Sequence, residues 1–217
     1  MDNQLLEHLL SFLTDRRKNL FDEVISKRTR HFTVATEDVY QLHNTSAVMR
    51  SCDVFGIQDL HVIEEKVSKK IDREIAMGAQ KWVNINRHNS TKECIDNLKE
   101  NGYQIIATTP HNNSTELKDF DISKKSAFFF GKEKEGLSDI VLEAADGYLK
   151  IPMYGFTESL NISVSAAIIL QTLITKVKDS DVVWELSELE KNEIKLQWAK
   201  MSIKSSTEII ERFNKTN

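Results

Sequence analysis

The stretch Ile151-Pro-Met-Tyr-Gly-Phe-Thr-Glu-Ser-Leu-Asn161 decides how the rest of the chain is read. Before it, Tyr148 to Ile151 has the composition of a short strand. After it, Ser163 to Val177 is a long apolar run of helical length. Pro152 and Gly155 break regular structure between the two. Ser159-Leu-Asn-Ile-Ser163 places polar side chains and backbone amides at the start of the helix. Taken alone, that is ordinary helix capping. A strand-to-helix loop is also where an α/β protein grips a polar ligand.

Upstream, strands and helices alternate. Strands are expected at His31–Ala35, Leu60–Ile63, Trp82–Ile85, Gln104–Thr108 and Ala127–Phe130. Helices are expected at Asn44–Phe55, Thr91–Glu100 and Leu137–Ala144. Asn44 or Thr45 is the expected cap of the first of these, and Gly56 its stop. This alternation predicts an α/β fold with a parallel sheet flanked by helices. Ligands of such sheets sit beyond the carboxyl ends of the strands. The candidate loops are therefore Thr108-Thr-Pro-His111, Phe129-Phe-Gly-Lys-Glu-Lys-Glu-Gly136 and Ile151 to Asn161.

The two ends read as helical extensions. Leu5, Leu6, Leu9, Leu10 and Leu13 repeat at helical spacing, and a second helix is expected from Lys18 to Lys27. From Ser187 onward the chain is charged and helical, with Trp198 and Ile203 on its apolar side. The expected division is an N-terminal extension (1–30), a central domain (31–178) and a C-terminal extension (179–217).

Charge follows this division. The whole chain carries −4, yet Arg16 to His31 carries +4 and Lys191 to Asn217 carries +3, which leaves −11 for the rest. Basic ends on an acidic body suit docking of a polyanion. On charge alone, solvated helix faces are the better explanation of the runs.

Other chemistries are excluded or unsupported. Gly131 and Gly136 are five apart, but Leu137-Ser138 follows where a phosphate-binding loop needs Lys-Ser/Thr. No Gly-x-Gly-x-x-Gly exists. Cys52 and Cys94 lie on expected helices without metal-ligand spacing, so neither a disulfide framework nor a zinc site is expected. His43, His61, His88 and His111 are scattered, with no pair at helical metal-binding spacing. No apolar run reaches the roughly 18 residues of a membrane span, and the N-terminus lacks a signal-peptide pattern. A cytoplasmic setting is expected.

Three segments together resemble the SPOUT superfamily, and within it the TrmH type of RNA ribose 2′-O-methyltransferases. They are Asn44-Thr-Ser-Ala-Val-Met-Arg-Ser-Cys-Asp-Val-Phe-Gly56, Phe130-Gly-Lys-Glu-Lys-Glu-Gly-Leu-Ser138 and Ile151 to Ala167. The resemblance implies a deep trefoil knot in the C-terminal part of the central domain. It implies S-adenosylmethionine as methyl donor, S-adenosylhomocysteine as product and no metal. It also implies a homodimer with the site completed between subunits. Asn44, Arg50, Glu133, Ser159 and Asn161 match the family's functional positions. Thr109, Gly131, Ile151, Met153 and Leu160 match positions that contact the cofactor, as Ser159 and Asn161 also do.

Lys27-Arg-Thr-Arg-His-Phe-Thr-Val34 is similar to the subgroup acting on guanosine 18 of tRNA. Arg16, Arg17, Lys18, Lys27, Arg28 and Arg30, with Lys195, Lys200 and Lys204, are then the expected RNA contacts. Alternatives are a ribosomal-RNA target, another tRNA position, or a non-catalytic RNA-binding factor.

Overall fold

A computed structural model describes residues 3–39, 42–64, 76–110, 114–132 and 135–216. The chain divides into two compact units. One is formed by Thr29–Trp184 and the other by Met1–Arg28 together with Glu185–Asn217. The two terminal extensions, expected separately from the sequence, thus share one unit.

Among the described residues of the larger unit, seven strands form one sheet: β1 (Phe32–Glu37), β2 (Asp59–Ile63), β3 (Asn84–His88), β4 (Gln104–Thr108), β5 (Thr115–Glu116), β6 (Ser126–Phe130) and β7 (Gly147–Lys150). Their spatial order is β3-β2-β1-β6-β4-β7-β5, and each neighbouring pair is parallel. β1 and β6 lie in the middle and are buried along their whole length. A strand covered on both faces loses the polar alternation of a half-exposed one.

Successive side chains of a strand point to opposite faces. Phe128 and Phe130 therefore pack on one side, with Phe32 and Val34, while Ala127 and Phe129 pack on the other, with Ala35 and Ile105. The first side is covered by α3 (Leu42–Phe55) through Val48, Met49 and Cys52, and by α6 (Ile162–Lys178) through Ala166, Ile169 and Leu170. The second is covered by α4 (Thr91–Glu100) through Cys94, Ile95 and Leu98, and by α5 (Asp139–Ala144) through Val141.

Two sequence expectations change, and one strand is added. Helix α3 has already begun at Leu42, so Asn44 and Thr45 lie inside it and do not cap it. The third strand runs Asn84–His88, with Trp82 and Val83 in the turn before it. This edge strand pairs with β2 and carries Asn84, Asn86, Arg87 and His88, so apolar content marks it too early. The two-residue strand β5 was too short to register as a pattern.

The smaller unit contains α1 (Asn3–Leu10), α2 (Asp15–Ile25), α7 (Glu188–Ser202) and α8 (Ser206–Thr216). Thr14 caps α2, and a reciprocal Ser187–Glu190 capping box opens α7. Leu6, Leu9, Phe21, Ile25, Ile194 and Trp198 are buried, and Phe21 meets Trp198 edge-on at 5.4 Å.

Candidate active site

The sheet order reverses direction around β6, because β1 to β3 build outward on one side and β4, β7 and β5 on the other. The loops after β4, β6 and β7 therefore open at neighbouring carboxyl ends. They line one cleft of about 420 Å³. Thr109, Gly131, Ile151, Met153, Ser159 and Leu160 all border it.

Gly131 shows why a side chain is excluded there. A Cβ at this position would stand 2.3 Å from the carbonyl carbon of Gly136 and 2.4 Å from the backbone nitrogen of Leu137. The reason is close backbone approach, the first of the two roles a glycine serves. The approach is pinned by paired backbone bonds of 3.0 Å each way between Lys132 and Gly136. Gly136 itself has φ +73°, a left-handed conformation that glycine adopts without strain.

Beyond the loop, Ser138 caps α5 and is bound by Glu37 at the end of β1. Glu37 Oε1 also accepts from Thr91 Oγ1 at 2.6 Å. This carboxylate, 3% exposed, joins β1, α4 and the loop after β6. Sequence reasoning did not nominate it, because a glutamate ending a buried strand has no local signature.

Asn161 caps α6. Its Oδ1 accepts from Ser163 N at 2.8 Å and Ser163 Oγ at 2.6 Å. Those bonds turn its Nδ2 toward Asn44, whose Oδ1 accepts at 3.2 Å. Two expected site residues 117 positions apart are thereby joined. Asn44 is 4% exposed. Neither Asn44 nor Asn161 borders the cleft directly.

Arg50 does not join them. It is exposed on α3, and the cleft lining does not include it. Glu133 lies outside the described residues, as does His111. The cleft adds groups that were not expected to contact the cofactor. Lys132 and Glu135 form a 2.9 Å ion pair beside it, and Glu158 also borders it. All three sit inside the quoted loops, so loop placement was their available signal. Leu149, Ile162 and Ile169 supply an apolar wall.

The arrangement offers an apolar wall, backbone groups and both signs of charge (Lys132, Lys150, Glu135 and Glu158), which suits a ligand with an apolar part and polar ends. The SpoU rRNA Methylase family matches residues 31–171. The chain belongs to that family. A SpoU-family relative, the tRNA (guanosine(18)-2′-O)-methyltransferase of Borreliella burgdorferi, is 39% identical over 208 residues, covering 94% of this chain and 95% of the relative. The enzyme of the same description from Thermus thermophilus is 37% identical over 157 residues, covering 72% of this chain and 81% of its own. The solved A. aeolicus TrmH/SpoU tRNA modifying enzyme superposes with a TM-score of 0.78 at 32% identity, covering 87% of this chain and 98% of that one.

The expected RNA contacts divide in this SpoU-family chain. Arg16, Arg17, Lys27, Lys200 and Lys204 are exposed, and Lys18 and Lys195 are half-buried. Lys18 pairs with Asp15, Lys27 with Glu23 and Lys195 with Asp22. Arg28 is 2% exposed with its guanidinium 5.5 Å from the centre of the Trp198 ring. Arg30 pairs with Asp59 at 2.9 Å. Burial of Arg28 against Trp198 and the Arg30–Asp59 pair tie both arginines into the fold. No helix among the described residues is long and apolar enough to cross a membrane.

Proposed function

We propose that the chain transfers a methyl group from S-adenosylmethionine to the ribose 2′-hydroxyl of guanosine 18 in tRNA. One observation carries the target: the 39% identity to a guanosine-18 enzyme spans 94% of the chain. It therefore extends past the family match at 31–171 into the helical ends.

The cleft suits the donor: its wall is apolar, and the close Gly131–Gly136 approach and Thr109 bring backbone groups to its edge. S-adenosylmethionine would supply the methyl group: as the ribose oxygen bonds to the methyl carbon the carbon–sulfur bond breaks, neutral S-adenosylhomocysteine leaves and the hydroxyl proton passes to solvent. Thr109, Gly131, Ile151, Met153, Ser159 and Leu160 would hold the donor. Asn161 and Asn44 fix the loop before α6. Alignment of the oxygen with the methyl carbon is the main task left to the protein. A guanidinium keeps its proton in proteins. Arg50 thus anchors a phosphate and stabilises the developing alkoxide. Glu133 orders the loop after β6. The displacement itself needs no metal.

The exposed position of Arg50, away from the cleft lining, supports a homodimer in which a second copy completes the site. Val54 on α3 and Val164 and Ile168 on α6 are exposed apolar residues on the two helices that pack together. Such a patch suits a partner surface. A trefoil knot is what the family resemblance implies for the segment after β7, and the packing of α6 against α3 is compatible with it. Knots are rare among folds. RNA docks on Arg16, Arg17, Lys18, Lys27, Lys195, Lys200 and Lys204 of the helical unit, in the cytoplasm, where tRNA resides.

The test is labelled-methyl transfer to a tRNA transcript and to the same tRNA with a 2′-deoxy guanosine 18. Label is expected only on the first. Equal labelling of both, or labelling of ribosomal RNA alone, overturns the proposal.

A further inference from the structure

Three side chains that share no sequence motif meet on the α4 side of the sheet. His61 stands on β2, His88 ends β3, and Cys94 lies in the first turn of α4. Strand register places His88 beside Ile63, two residues on from His61, so the imidazoles sit diagonally across neighbouring strands. His61 Nδ1 and His88 Nε2 are 2.9 Å apart. Their rings lie 13° from parallel. One donor atom from each of the three residues lies within 4.8 Å of the other two. The histidines are 6% and 7% exposed, and Cys94 is fully buried.

We propose that His61, His88 and Cys94 form a binding site for a zinc-class divalent cation, held by two imidazole nitrogens and one thiolate. Nitrogen with sulfur is the donor set that a borderline-soft cation prefers. A tetrahedral ion of this class holds nitrogen at about 2.0–2.1 Å and sulfur at about 2.3 Å, which sets its ligand atoms roughly 3.3–3.6 Å apart. The present spacings bracket that range, so small side-chain rotations suffice. The backbones stay fixed, because two strands and a helix carry them.

The local electrostatics agree. Burial, with the neighbouring His88, holds His61 down to about 4, so it offers a neutral nitrogen at neutral pH. Burial, with the nearby Glu93 and Glu37 carboxylates, pushes the Cys94 thiol up to about 12. The same carboxylates that disfavour a bare thiolate favour a bound dication. On binding, the S–H bond breaks, the metal–sulfur bond forms and the proton leaves to solvent. A bound ion would tie β2, β3 and α4 together and add stability by mass action.

The test uses the full chain, stripped with a chelator, then loaded with Co²⁺ or Zn²⁺ and passed through gel filtration. One equivalent per chain is expected, with a thiolate-to-Co²⁺ charge-transfer band. Cys94→Ser should lose the band, and Cys52→Ser should keep it. Wild-type protein that retains no ion, or retains Co²⁺ without the thiolate band, overturns the proposal even where Cys94→Ser does not fold. Methyl transfer is not the readout, so this result stands apart from the proposed reaction.

Discussion

Glu37 holds Ser138 by two hydrogen bonds, from Ser138 N to Oε2 at 2.9 Å and from Ser138 Oγ to Oε1 at 2.6 Å. The two residues are 101 positions apart. Ser138 directly follows Leu137 and Gly136, which border the cleft. The contact therefore transmits the position of β1 to the loop that lies against the donor. Glu37→Gln keeps the size but replaces one acceptor oxygen with a donor. It should cost about 1–3 kcal/mol in chemical denaturation. It should also weaken S-adenosylmethionine binding by calorimetry. Unchanged stability and affinity together would remove Glu37 from this role.

Asn161 has two separable duties, capping α6 and donating to Asn44. Asn161→Ala removes both and should cost about 1 kcal/mol through the lost cap. Asn161→Asp keeps an acceptor for Ser163 N but has no amide donor for Asn44. Aspartate should therefore restore stability without restoring methyl transfer. Full activity in Asn161→Asp would show that the Asn44 bond is dispensable.

Arg50 is exposed, so Arg50→Ala should leave stability within about 0.5 kcal/mol of wild type. Turnover should drop by about 10²–10³, the scale for losing one group that stabilises developing charge. Mixing Arg50→Ala chains with Asn161→Ala chains should regain part of the activity if each site draws Arg50 from the other copy. Wild-type-like turnover in Arg50→Ala alone would refute its role.

His31 gives a pH signature. Its Nε2 donates to the Ile122 carbonyl at 2.7 Å. Burial lowers its pKa below 6.5, opposed by the Ile122 bond and aided by the positive charge of Lys125. A depressed histidine takes up its proton more readily unfolded than folded. Stability should thus be complete above pH 6.5 and fall as pH drops from 6.5 toward the lowered folded value. His31→Gln should flatten that part of the denaturation profile. An unchanged slope would assign it to other groups.

Arg28 and Arg17 should separate fold from RNA affinity. Arg28→Ala loses packing on Trp198 and should lower the denaturation midpoint. Arg17→Ala should leave the midpoint alone, weaken tRNA binding and reduce its salt slope by about 1. The reverse pattern would exchange their assignments.

The sequence was most legible where structure is local. A buried parallel strand such as Ser126–Phe130 needs a continuous apolar run, and the run is visible. The cleft loops were legible because they follow such strands and carry a distinctive string. Asn84–His88 was misplaced because an edge strand need not be apolar. Arg28 was placed among the RNA contacts because its charge is visible in sequence, whereas the Trp198 ring that covers it lies 170 residues away.

The sequence by itself therefore determined the alternation of strands and helices, the three loops of the cleft and the family. Each depends on residues near one another in the chain, where periodicity, turn chemistry and motif spacing act. Only the tertiary structure decided that Asn44 serves Asn161 instead of capping α3, that Glu37 holds Ser138, and that Cys94 stands beside the His61–His88 pair. Those relationships depend on strand order and register. Register is set by the packing of whole faces of the sheet, and no local stretch of sequence carries it.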